Sequence, residues 1–188
     1  MPNVIFISEG RLKKLTSIHE NVEPDDLMPF VIQAQDIYIQ DTLGTKFYTN
    51  LQTKVSGGTT NTSEKELLND YIAPTLANYA LWLAFPHLNY KIKNKALLQG
   101  TSEEATITDL NTTKYVRGTI EDTAQFYRER LRKYLEDFST NFPDYTNPGT
   151  IGNQPNKSNP YFHGVHIPHP IGCGWDDLNI DPLNTNYL

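Results

Sequence analysis

The chain has 188 residues, with 16 Lys and Arg against 22 Asp and Glu, a net charge of −6 and one cysteine. That length suits one domain with a core of its own. The acidic balance argues against gripping nucleic acid by neutralising phosphates, and a single cysteine excludes an intramolecular disulfide.

The N-terminal stretch "MPNVIFISEGRLKKL" has neither the basic flank nor the small-residue cleavage site of a secretory signal. No run of about 18 apolar residues exists, so no transmembrane helix is expected. The expectation is a soluble protein made in a cytoplasm. Residues 4–7, "VIFI", are β-branched and aromatic and predict a short strand or an N-terminal arm over 1–23. Pro24 then suits the first position of a helix, where its missing N–H would be unpaired anyway. Asp25 and Asp26 follow at the positive end of the helix dipole. Leu27, Phe30, Val31, Ala34, Ile37 and Tyr38 recur at helical steps, so the helix is placed at 24–43, with Gly44 as a left-handed cap.

A shorter helix is expected at 45–55 with Phe47, Leu51 and Val55 on one face, and "SGGTTNTS" as a loop after it. Ser63 and Glu66 have capping-box spacing. They open the main core helix, which carries Leu67, Leu68, Tyr71, Ile72, Leu76, Tyr79, Ala80 and Leu83. Pro74 should kink it and Pro86 should end it. "YKIKNKALLQG" reads as a strand or hairpin. A long amphipathic helix is expected from 109 to 140, with a break near Gly118 and an apolar face of Phe126, Tyr127, Leu131, Tyr134, Leu135 and Phe138. Glu129–Lys133 and Arg132–Glu136 are its i,i+4 pairs. Lys13, Lys14, Arg128, Arg130, Arg132 and Lys133 read as solvated faces or subunit contacts. The helical domain thus spans 24–142.

Residues 143–188 hold seven of the twelve prolines and show no helical or strand period. Their anchors, Tyr161, Phe162, Ile167, Ile171 and Trp175, suit an extended arm lying on a surface, its own or a neighbour's. The arm also contains His163, His166, His169 and Cys173. In a polyproline segment rising ~3.1 Å per residue, residues three apart lie about 9 Å apart. Three such rings meet one zinc, with bonds near ~2.1 Å, only if the backbone turns sharply. The preferred reading is a docking arm with the histidines as polar contacts, and no metal or cofactor is assigned. The alternatives are a metal-binding protein using those four residues, or a soluble adaptor module that recruits partners through the arm. No phosphate-binding loop, dinucleotide fingerprint or hydrolase elbow occurs, and no catalytic residue is assigned.

"DDLMPFVIQAQDIYIQDTLGTKFYTNLQ", "YIAPTLANYALWLAFPHLNYKIKNKALLQG" and "AQFYRERLRKYLEDFSTNFPDY" together resemble the small head–tail connector (adaptor) proteins of tailed bacteriophages. They are most similar to those of crAss-like short-tailed phages of Bacteroidales. The resemblance covers about two thirds of the chain and rests on packing patterns. It implies a mainly α fold, a small helical bundle with a protruding loop or hairpin, to which the extended C-terminal arm is added. It also implies a structural virion protein of the head–tail neck, not an enzyme. Its partners would be copies of itself in a ring of twelve, the portal protein above, and the next tail or ring protein below. Genomic DNA would pass through the channel without sequence-specific binding, and no membrane is involved.

Overall fold

A computed structural model describes residues 4–93, 96–99 and 110–157, which form a mainly helical bundle with one two-stranded hairpin. Among the described N-terminal residues, 4–7 form no strand. The chain bends at 6–7 and enters helix α1, Glu9–Leu15, and Phe6, Ile7, Leu12 and Ile18 are buried with the later helices. Four β-branched and aromatic residues need a neighbouring strand, and none is at hand. The Gln35 side chain substitutes for one: it accepts from the Phe6 amide and donates to the Val4 carbonyl, both at 2.8 Å. Residues 4–23 are therefore built into the bundle rather than standing off as an arm.

Helix α2, Pro24–Ala34, continues through a π turn, Gln35–Ile39, into α3, Gln40–Leu43. The expected span of 24–43 holds, but the apolar phase slips inside it. Leu27, Val31 and Ala34 are buried at ordinary helical steps, and the next buried apolar residues are Ile39 and Leu43, with Gln35 and Thr42 as buried polar residues beside them. The step of five from Ala34 to Ile39 falls in the π turn, where the Gln40 amide bonds to the Gln35 carbonyl. Ile37, expected inside, is 52% exposed.

Gly44 ends this run at φ 77°, ψ 153°, which is not the left-handed helical cap that was expected. It lies in a region open essentially to glycine alone. Helix α4, Thr45–Gly57, follows with Phe47, Tyr48 and Leu51 buried and Val55 partly so.

A capping box opens α5, Thr62–Glu66, but two residues earlier than expected. The Asn61 side chain accepts from the Glu64 amide at 2.8 Å and Glu64 accepts from the Asn61 amide at 2.9 Å. Lys54, 2.5 Å from Glu64, fixes the choice by holding that carboxylate in the interior. A second π turn, Leu67–Ile72, leads into α6, Ala73–Asn89. The buried step is again five, from Leu67 to Ile72, before Leu76 and Ala80 resume the helical period. The wide turn falls where the Pro74 ring would press on the Asp70 carbonyl. Pro86 does not end the helix. It removes one hydrogen bond, while His87 stacks on Phe30 of α2 with ring centroids 4.8 Å apart and ties down the last turn.

Strands β1, Tyr90–Lys93, and β2, Ala96–Gln99, pair antiparallel with Tyr90 opposite Gln99 and Lys93 opposite Ala96. The hairpin expected in this stretch is present, and a two-residue link is the commonest hairpin length. Helix α7, Leu110–Asp137, passes Gly118 unbroken. One glycine costs only about 1 kcal/mol in a helix interior, too little to interrupt 28 residues. Helix α6 is central, with α2 and α7 as its main neighbours. Ala124, Leu131, Tyr134 and Leu135 form the buried face of α7, while Phe126 and Phe138 are exposed, contrary to expectation. A 3₁₀ turn, Ser139–Asn141, and α8, Pro143–Thr146, complete the bundle with Phe142 and Tyr145 buried. The core thus extends past residue 142, where the arm was expected to begin.

Candidate interaction surfaces

The first surface is where residues 147–157 strap across the corner between α3 and α4. Lys46 donates to the Asn147 carbonyl at 2.9 Å and pairs with Asp144 at 3.0 Å. The Thr45 amide donates to the Asn153 carbonyl, and the Asn153 amide returns a bond to the Thr45 hydroxyl, both at 2.9 Å. The Asn156 amide donates to the Asp41 carbonyl at 2.9 Å, and its side chain donates to the Asp41 carboxylate at 3.1 Å. Pro155 lies so close to Gly44 that a Cβ there would be 2.7 Å from its Cδ. Gly152, at φ 83°, similarly leaves no room for a Cβ beside Thr45. Between Gly149 and Gly152 the strap displays Ile151, which is 87% exposed.

Two arginines of α7 lock this corner. Arg128 pairs with Asp41 and donates to the Thr42 hydroxyl at 3.1 Å. Arg132 pairs with Glu129 and, at 2.8 Å, with Glu136, and it donates to the Lys157 carbonyl at 2.7 Å. The hydrogen bond from Arg132 holds the Glu129 carboxyl below its usual range. Of the i,i+4 pairs expected on this helix, Arg132–Glu136 forms, whereas Glu129 turns to Arg132 at i+3. Arg128 and Arg132 were read with Lys13, Lys14, Arg130 and Lys133 as solvated faces or subunit contacts. They are instead mostly covered and serve as intrachain clamps.

Aromatic rings fill the seams. Tyr38 stacks on Tyr79 with centroids 3.9 Å apart and meets Trp82 edge-on, and Arg117 lies 4.8 Å over the Trp82 ring. Tyr71 stacks on Tyr134 at 3.9 Å, beneath Arg130. Burial pushes the hydroxyls of Tyr38, Tyr79 and Tyr145 above their ordinary pKa. The Tyr48 hydroxyl is raised further by burial, although Gln35 donates to it, and it donates in turn to Asp36 at 2.9 Å.

The second surface is the outward face of α7. At 100° per residue, Tyr115, Thr119, Asp122, Phe126 and Lys133 fall within about 60° of one another. Ala124, Leu131 and Leu135 lie on the opposite side and are fully buried. Tyr115 is 77% and Phe126 64% exposed. The expected apolar face took Phe126 inward because it neighbours Tyr127. The signal that places it outward is the eleven-residue, three-turn spacing from Tyr115.

The anchors named from sequence, Tyr161, Phe162, Ile167, Ile171 and Trp175, lie outside the described residues, as do His163, His166, His169 and Cys173. Among the described residues no group of His, Cys, Asp and Glu could hold a metal ion, and no helix is long and apolar enough to cross a membrane. Residues 39–154 match the sequence model of a family of unknown function, DUF6712. No curated protein and no solved structure matches the chain.

Proposed function

The chain belongs to the family of unknown function DUF6712; from the resemblance of its helices and the exposed aromatics of α7 we propose that it is a structural subunit of a head–tail connector ring in a tailed bacteriophage. In this reading it has no catalytic role. Twelve copies bind beneath the portal protein, extend the DNA channel and offer the attachment surface for the next tail or ring protein. DNA passes without sequence-specific contacts. The protein is made in the host cytoplasm and ends up in the virion neck.

The observation that carries the reading is the outward face of α7. Tyr115 and Phe126 are left in water on the side opposite the core, and in this reading a neighbouring subunit covers them. Closed rings arise when one surface of a subunit meets a different surface of the next. The helical bundle with its hairpin is the architecture that the resemblance implies, and an acidic chain around a channel would repel phosphates and let duplex slide. The test is to mix the full-length chain with purified portal rings and image the product by electron microscopy. A second ring seated beneath the portal is expected. Bare portal rings with the chain left monomeric would end this reading.

A further inference from the structure

We infer that residues 147–157 act as a latch, which leaves the bundle as one unit while the helices stay folded. The seat of the latch is made by the break at Gly44. In an unbroken helix the Asp41 carbonyl would accept from the Thr45 amide four residues on. Gly44, at φ 77°, parts the two, and the strap takes both. The Asn156 amide donates to the Asp41 carbonyl, and the Asn153 carbonyl accepts from the Thr45 amide. The strap thus fills a gap in a helical ladder without being helical itself.

Little besides polar contacts holds it. None of residues 147–157 is buried, so the strap takes little apolar surface out of water. Its bonds to Asp41, Thr45, Lys46 and Arg132 sit at half-buried or exposed groups, where water replaces them at small net loss. Ordering the strap opposes closure, and segments held this way open well before the whole domain unfolds. The opening has defined limits. Phe142 and Tyr145 are buried and hold α8, so the hinge falls at 147–149, where Gly149 has φ 77°. The Gln154 side chain donates to the Gly149 carbonyl at 2.7 Å and ties the turn between them into one piece. At the far end Arg132 pins the Lys157 carbonyl. With the latch shut, the chain after Lys157 starts beside Arg132 of α7. With it open, that chain starts from α8 on a tether, residues 147–157, that spans at most about 35–40 Å.

The experiment is native-state amide hydrogen exchange on the full-length chain, followed residue by residue by NMR. The Thr45, Asn153 and Asn156 amides each bond across the strap contact, so they report the latch. They should share one protection factor, at least about a hundredfold below those of Leu76 and Ala80, which are buried in α6. N156A removes the side-chain bond to Asp41 and should speed all three amides by the same factor, about three- to tenfold. T45V removes the acceptor for the Asn153 amide and should speed the Thr45 and Asn156 amides alike. The same spectra show that both variants fold. Strap amides as protected as those of α6 would make the strap part of the core and overturn the inference. So would no protection at all, which would leave nothing to latch. A response to N156A confined to Asn156 would overturn it too, because the strap would then fray bond by bond.

Discussion

Replacing Gly44 by alanine should both strain the backbone and unseat the strap, and the two effects can be separated. The residue holds φ 77°, ψ 153°, where a side chain costs about 1–3 kcal/mol. Its new Cβ would sit 2.7 Å from Pro155 Cδ and 2.8 Å from Pro155 Cγ, so the strap must move. That movement breaks the bonds from Thr45 to Asn153 and from Asn156 to Asp41, at about 1 kcal/mol each. The expected loss is about 3–5 kcal/mol, or roughly 6–20 °C in Tm. Urea unfolding of the wild type, G44A, P155A and the double variant measures it as a cycle. P155A removes the ring atoms that collide but leaves the torsion strained, so G44A should cost about 1–3 kcal/mol less in that background. Equal costs in the two backgrounds would show that the close approach is irrelevant. A G44A cost below about 1 kcal/mol would refute the backbone argument as well.

Three further outcomes follow from packing and charge. L131A, at a fully buried position, should cost about 2–5 kcal/mol, whereas F126A should change monomer stability by no more than about 0.5 kcal/mol; chemical denaturation compares them directly. Hydrogen bonds from Asn50 and Lys46 hold the Asp144 carboxyl below its ordinary value of 3.8. Its contribution is therefore present above that pH and lost on further acidification, and D144N should flatten the acid limb of Tm against pH. Burial raises the Tyr48 hydroxyl above 10.0. That contribution is complete below pH 10 and fades above it, so alkaline unfolding should coincide with tyrosinate absorbance, and Y48F, which also loses the bonds to Gln35 and Asp36, should flatten the alkaline limb of Tm against pH.

Much of the helical frame was legible in the sequence because its signals are local. Pro24, Asp25 and Asp26 set one boundary and Gly44 the other, and the span they enclose is the observed helix. What misled was tertiary in origin. The capping box at 61–64 was chosen over 63–66 by a lysine on another helix, Lys54. Pro86 sits inside a helix because Phe30 holds the turn beyond it. The strand expected at 4–7 gave way to Gln35, thirty residues on. Phe126 went to the wrong face because its neighbour Tyr127 sits at the edge of the apolar sector and blurs the phase. The strap was unreadable, since its hold on the bundle lies in backbone carbonyls and two glycines rather than in a side-chain pattern.

The π turn at 35–39 has a consequence for the outer surface. Measured against its buried residues, the helix from Leu27 to Leu43 is one residue longer than its interior requires. If Ile37 were deleted, Ala34, Ile39 and Leu43 would fall four apart and an unbroken α-helix would bury the same set. The surplus residue is one that the apolar interior skips and the exterior registers, as an isoleucine held out among aspartates. Such an exposed position can change identity without disturbing the fold, so the surface it serves is free to vary while the bundle beneath stays constant.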